Sequence, residues 1–274
     1  MEKNNKRNTR KNNSNNRRRD DRKDHEFNKD NWTPKTKLGK LVKDGEVKNI
    51  DFILDNGMRI LEPEIIDVLI PNIETELLLI GQSKGKFGGG QRRVFKQTQK
   101  KTREGNKPHF STFAVVGNKN GYVGVGTGKS KETVPAREKA FRNAKLNLIK
   151  IGRGNGSWED PTKTPNSIPF KVNGKCGSVK ITLMPAPKGT GLKVEKECQK
   201  ILTLAGIKDV WSRTSGQTKS KNNLIWACEK ALRQLMETKV SQKGIENTGL
   251  VEGKIKEDIV EVESVVEPEE KKNE

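Results

Sequence analysis

The stretch Phe113-Ala-Val-Val-Gly-Asn-Lys-Asn-Gly-Tyr-Val-Gly-Val-Gly-Thr-Gly-Lys-Ser-Lys-Glu132 decides how the chain is read. Its apolar residues run from Phe113 to Val116, stop at Asn118-Lys119-Asn120-Gly121, and resume at Tyr122, Val123 and Val125. Two short runs around Asn-Gly describe an antiparallel hairpin, because that dipeptide reaches the positive φ angles a tight turn needs. A helix is expected to open near Lys131, with Pro135 tolerable only in its first turn. Ala136, Ala140, Phe141, Ala144 and Leu148 then share one arc at helical spacing, while Lys139, Arg142 and Lys145 point away. Arg137 falls inside the apolar arc, against the pattern.

Upstream of the hairpin, residues 82–107 hold nine basic residues and one acid, Glu104, loosened by Gly85, Gly88, Gly89, Gly90 and Gly105. Before them, Leu38, Leu41 and Val42, then Ile50, Ile53 and Leu54, then Ile65, Ile66, Leu69 and Ile70 recur at helical spacings, so 32–80 reads as a helical segment. Glu62 and Glu64 around Pro63 suit a helix first turn. Downstream, the Gly- and Pro-rich residues 152–167 read as a linker. Strands are then expected at 168–172 and 179–184, joined by Asn173-Gly174. Val194, Cys198, Ile201, Leu202 and Ala205 mark a helix stopped by Gly206, and Leu224, Cys228, Ala231, Leu232 and Leu235 mark another. Tyr122 and Trp158 can each stack on a base, but packing against the domain is the expected role of both.

The chain has 274 residues, 30% of them hydrophobic, with 55 Lys+Arg against 35 Asp+Glu for a net charge of +20. Residues 1–23 contribute +7 and residues 244–274 contribute −6, which leaves +19 on the middle. A surface of that sign attracts polyanions, of which nucleic acid is the commonest in cytosol. No run approaches the ~20 apolar residues of a membrane span, so no membrane partner is expected. Cys176, Cys198 and Cys228 are too scattered for a disulfide framework, and His25 and His109 are too few for a zinc site. Neither a metal nor a cofactor is expected.

Gly126-Thr127-Gly128-Lys129-Ser130 ends like a nucleotide-binding loop, but that pattern needs glycine where Val123 stands. The preceding strand also belongs to a hairpin rather than a βαβ unit. The dinucleotide pattern fails as well, at Lys129 or Lys131 according to its start. No enzyme is expected.

What remains is a set of basic, glycine-rich loops on short strands and helices. Gln91, Arg92, Arg93 and Lys96, then Lys100, Lys101, Arg103 and Lys107, then Lys129 and Lys131 at the mouth of the helix can reach phosphates without reading sequence. Arg153 and Lys188 complete the candidate RNA contacts. Aromatics make up only 5% of residues, so shape and phosphate recognition of a structured RNA fits better than serial base stacking.

The hairpin string, together with Ala144-Lys-Leu-Asn147, Ile168-Pro-Phe-Lys-Val-Asn-Gly-Lys-Cys-Gly-Ser-Val179, Pro185-Ala-Pro-Lys-Gly-Thr-Gly-Leu192 and Leu204-Ala-Gly-Ile-Lys-Asp-Val-Trp211, closely resembles the family of the fifth small-subunit ribosomal protein, in its archaeal and eukaryotic form. The resemblance runs from about Ile53 to Met236. It implies an α+β fold: a domain like double-stranded-RNA-binding domains, with a three-stranded antiparallel sheet and a helix, then a small β/α two-layer sandwich. The expected divisions are a basic disordered arm (1–31), the helical segment (32–80), the RNA-binding-like domain (81–155), the sandwich (156–240) and an acidic disordered tail (241–274).

The resemblance further implies a cytoplasmic, ribosome-bound constituent of the small subunit. It would bind small-subunit rRNA at the head/body junction near the mRNA entry path, touch small-subunit proteins four and eight, and support translational accuracy. The family's RNA-contacting loop maps onto Lys100 to Lys107, and its Gly-Lys-Ser-Lys stretch onto Gly128 to Lys131. Where the family often has paired arginines after the loop glycine, this chain has Asn106 and Lys107. The alternative from another class is an extraribosomal RNA-binding module.

Overall fold

The hairpin is present, and its turn is wider than a two-residue Asn-Gly turn. Strands β3 (Gly105–Gly117) and β4 (Tyr122–Ser130) pair from Gly117 against Val123 outward. In the loop, Lys119 (φ 58°) and Gly121 (φ 90°) take the left-handed positions, and Asn118 Oδ1 accepts from the amides of Asn120 (2.8 Å) and Tyr122 (3.2 Å). The computed structural model from which these elements are taken describes residues 32–83 and 92–253. The basic arm before Trp32, residues 84–91 and the tail after Gly253 lie outside the described residues.

Alternate glycines of β4 explain how helix α4 (Thr133–Leu146) sits so low on the sheet. A Cβ on Gly126 would come 2.1 Å from the Ala144 nitrogen, and one on Gly128 only 1.9 Å from the Ala136 carbonyl oxygen. Ala136, Ala140 and Ala144 are fully buried in return, and Arg137 points to solvent. The glycines that mimic a phosphate loop therefore serve close helix–sheet packing.

The three expected strands, β2 (Lys96–Thr102), β3 and β4, carry two more at their edges: β1 (Glu74–Leu78) and β5 (Leu148–Lys150). Strand β1 lies in the segment read as helical to residue 80, a correction to that reading. Helices α1 (Lys37–Lys43), α2 (Ile50–Asp55) and α3 (Glu64–Leu69) account for the rest of its periodicity. Along one edge of β3, β2 pairs with Gly105–Ser111 and β1 with Phe113–Gly117. The three helices cap one end through Trp32, Ile53, Ile65, Ile66, Tyr122 and Leu148. Glu62 ties this cap, accepting from the amides of Lys35 (2.9 Å) and Thr36 (2.6 Å) and from Trp32 Nε1 (3.2 Å). Burial disfavours its charge, yet those hydrogen bonds outweigh burial and hold the carboxyl below its ordinary range.

The second domain is a four-stranded sheet, β7 (Val172–Cys176), β8 (Val179–Pro185), β10 (Val210–Ser215) and β9 (Leu192–Lys193) in that order. Helices α5 (Lys196–Ala205) and α6 (Lys221–Glu237) pack with it. Asn173-Gly174 is not the turn expected there. Gly174 lies inside β7, where a Cβ would meet the Ala227 carbonyl oxygen at 1.9 Å, and the chain reverses instead at Gly177 (φ 60°). Helix α5 stops at Gly206 in the left-handed conformation, as its sequence requires.

The two domains share one core. On β3, Ala114 and Val116 face α4, while Phe113 and Val115 join Val123, Val125, Cys198, Ile201, Leu204 and Leu232. Phe113 and the half-buried Trp226 meet edge to face, with ring centroids 5.7 Å apart. The hairpin loop also closes the end of α5, because the amides of Lys119 (2.8 Å) and Gly121 (3.1 Å) donate to the carbonyls of Leu204 and Ala205.

The start of the expected acidic tail is folded. Helix α7 (Gln242–Thr248) is followed by β11 (Val251–Glu252), which pairs antiparallel with β6 (Gly152–Arg153) inside the stretch read as linker. No helix among the described residues is long and apolar enough to cross a membrane.

Candidate nucleic-acid interface

Strand β2 and the first half of β3 form an arm whose β2 residues are almost all exposed. Directly paired residues share a face of a sheet, so the register sorts the arm's charges. Lys100 is opposite Lys107, and Ser111 lies between Lys96 on β2 and Lys129 on β4. These four lysines thus occupy one face, with His109, and it is the same face that carries Phe113 toward the second domain. Lys101 is on the other face, and Arg103 stands in the tip beside Gly105 (φ 114°). Lys107 bonds Glu104 at 2.7 Å, a pair that is 52% and 77% exposed and therefore weak. Lys96, Lys100, Lys101, Arg103 and Lys129 form no ion pair among the described residues. Like charges directly across a ladder repel, and a polyanion removes that penalty.

Arg92 and Arg93 lie at the root of the arm. Arg92 bridges to Ser83, and the Arg93 carbonyl accepts from Gly81 at 2.8 Å. With Lys96 they line a cleft of about 450 Å³ whose far wall is Lys219, Ser220, Lys221 and Asn222 at the start of α6. Lys221 is engaged by Glu195 at 2.6 Å, whereas Lys219 forms no ion pair among the described residues. Lys219 and Asn222 are additions to the expected set, and nothing in their local sequence sets them apart from other surface residues. Lys131 is exposed just before α4, and Lys188 is exposed in the loop after β8, its amide donating to Asp160 at 3.2 Å. Gln91 lies outside the described residues.

Arg153 is a correction. It is 3% exposed, and its Nη2 donates to Asn120 Oδ1 (2.7 Å) and to the Gly253 carbonyl (3.0 Å). It therefore joins hairpin loop to C-terminal strap and is not presented at the surface as a candidate phosphate contact would be. Trp158 departs from expectation in the opposite sense: Tyr122 is buried with its hydroxyl on Asp51 at 2.7 Å, but Trp158 is 91% exposed.

No cluster of His, Cys, Asp or Glu among the described residues has the makings of a metal site. Cys198 and Cys228 are buried in the shared core, and the Cys198 thiol is raised well above its ordinary range by its hydrogen bond to Cys228 and by burial. Such thiols are inert.

Two family models match the chain, one over each domain. Residues 91–152 match the model for ribosomal protein S5, N-terminal domain, and residues 174–244 match that for ribosomal protein S5, C-terminal domain. The small ribosomal subunit protein uS5 of Nanoarchaeum equitans is 50% identical over 228 residues, covering 83% of this chain and 98% of that protein. The chain belongs to the uS5 family. The uS5 of Methanocaldococcus jannaschii is 45% identical over 229 residues, covering 84% of this chain and 99% of its own. That of Methanosphaera stadtmanae is 44% identical over 226 residues, covering 82% and 93%. As a uS5 protein the chain is a structural constituent of the small ribosomal subunit, a ribonucleoprotein component of translation rather than an enzyme. The two-domain α+β architecture expected from the resemblance is the one found.

Proposed function

We propose that the protein binds small-subunit rRNA at the junction of head and body, near the mRNA entry path, in the cytoplasmic ribosome. There it touches small-subunit proteins four and eight and supports translational accuracy. The observation that carries the RNA-binding reading is the lysine face of the arm: Lys96, Lys100, Lys107 and Lys129 converge on one side of three strands, with Glu104 the sole acid engaging them among the described residues. Arg92, Arg93 and Lys219 extend that positive surface into the cleft between the domains. Such an array suits a phosphate backbone of fixed shape, which lysines can grip without reading sequence.

The test is co-sedimentation and reconstitution. Tagged protein is expected to travel with small subunits through high-salt gradients, and the purified chain is expected to bind small-subunit rRNA with strongly salt-dependent affinity. A protein found mainly free of subunits would favour the extraribosomal RNA-binding module. Crosslinks in intact ribosomes, mapped to single nucleotides and to neighbouring chains, test the placement.

A further inference from the structure

The indole of Trp158 stands in solvent at 91% exposure, and the loop that carries it is braced. The buried Asn155 donates from its side-chain amide to the carbonyls of Thr162 (2.7 Å) and Asp160 (3.4 Å), and its Oδ1 accepts from the Ser157 amide (3.1 Å). Asp160 Oδ1 accepts from the amide (2.9 Å) and hydroxyl (2.6 Å) of Thr162, and its Oδ2 accepts the Lys188 amide (3.2 Å). Gly156 donates to the Ile168 carbonyl at 3.1 Å, pinning the loop to the second domain. An aromatic ring presented on backbone this fixed can bind a flat partner without the entropy cost of ordering its loop.

We propose that Trp158 is a stacking platform for an unpaired RNA base, with Lys188 and Lys163 holding the neighbouring phosphates. The proposal rests on the RNA-binding reading and adds a second kind of contact to it. The surroundings favour RNA over a protein partner. Within its own loop Trp158 is the one exposed large hydrophobic side chain, and the loop residues after it, Glu159, Thr162, Lys163 and Thr164, are exposed and polar. Lys163 and Lys188 are exposed and form no ion pair among the described residues, and the Asp160 carboxylate is spent on three hydrogen bonds. Glu159, exposed and next to Trp158 in the chain, can accept a hydrogen bond from the amino edge of a base.

The experiment compares the full chain with Trp158→Ala and Trp158→Phe on a transcript of small-subunit rRNA from the same genome. Stacking contributes roughly 1–3 kcal/mol per base. Trp158→Ala is therefore expected to weaken binding about fivefold or more, with unchanged salt slope and unchanged thermal unfolding, while Trp158→Phe stays within about twofold. Trp158 fluorescence, taken as the difference between wild type and Trp158→Phe, is expected to lose its accessibility to iodide in the complex. Wild-type affinity for Trp158→Ala, or an indole still open to iodide, overturns the proposal. If arm variants weaken binding and Trp158→Ala does not, this inference alone fails; if neither does, the RNA-binding reading fails with it.

Discussion

Replacing Gly128 with Ala is expected to destabilise the protein by about 2 kcal/mol, although alanine in an ordinary strand would be neutral or better. The new Cβ would sit 1.9 Å from the Ala136 carbonyl oxygen, where ordinary contact begins at 3.4 Å, so helix α4 must recede by about 1.5 Å. The atom met is backbone, and no side-chain rotation relieves the clash. Receding opens the methyls of Ala136, Ala140 and Ala144, all fully buried, at ~0.8 kcal/mol each. The loss of about 2–3 kcal/mol is partly offset by the 0.4–1 kcal/mol that alanine gains over glycine through the unfolded chain, taken as a rough range. Urea unfolding followed by far-UV circular dichroism should show a lower midpoint at unchanged slope, and heating a midpoint lower by roughly 4–8 °C. The exposed Lys129→Ala serves as a control expected to stay within about 0.5 kcal/mol of wild type. A Gly128→Ala protein as stable as wild type would refute the packing account of the β4 glycines.

Gly121→Val should cost more than 1 kcal/mol, since φ is 90° there and a Cβ would lie 2.5 Å from the Gly253 carbonyl oxygen; differential scanning calorimetry reads the loss. Arg153→Ala should lower stability by about 2 kcal/mol or more while leaving rRNA affinity per folded molecule unchanged, and an affinity loss at full stability would restore it to the interface. Arg92→Ala, Arg93→Ala and Arg103→Ala combined should flatten the salt dependence of rRNA binding by up to ~0.7–0.9 in log–log slope per phosphate contact, measured by filter binding; an unchanged slope places them off the backbone. Glu62→Gln should cost on the order of 1–2 kcal/mol at neutral pH, because the amide keeps one acceptor where the carboxylate served three donors. The Glu62 pKa is depressed on folding, so its contribution is present above the unfolded carboxylate range and lost as pH falls through the folded value. The difference between variant and wild type should therefore shrink below about pH 4.

Periodicity made the hairpin, α4, α5 and α6 legible, because each buries an apolar stripe of regular spacing. Strand β1 was not legible: its first three residues, Glu74, Thr75 and Glu76, are exposed, and its pairing with β3 rather than its own composition makes it a strand. The C-terminal strap was hidden for the same reason, since α7 buries no residue and β11 depends on β6 and the Arg153 guanidinium. Asn173-Gly174 looks like a turn in isolation, and only the nearness of Ala227 explains the glycine. Within the site, the charge on the arm is plain in the sequence, but which lysines share a face follows from register. Arg153 and Lys188 look alike as text, and burial alone separates them.

The sharing of one core between the domains bears on how the molecule is made. Strands β1 to β5, the last ending at Lys150, are all synthesised early, yet the face bearing Phe113, Val115, Val123 and Val125 stays wet until α5 and α6 leave the ribosome that is synthesising them. At roughly 5–20 residues per second that interval lasts on the order of 5–20 s, during which a greasy half-product with a positively charged arm is available to aggregate or to seize stray RNA.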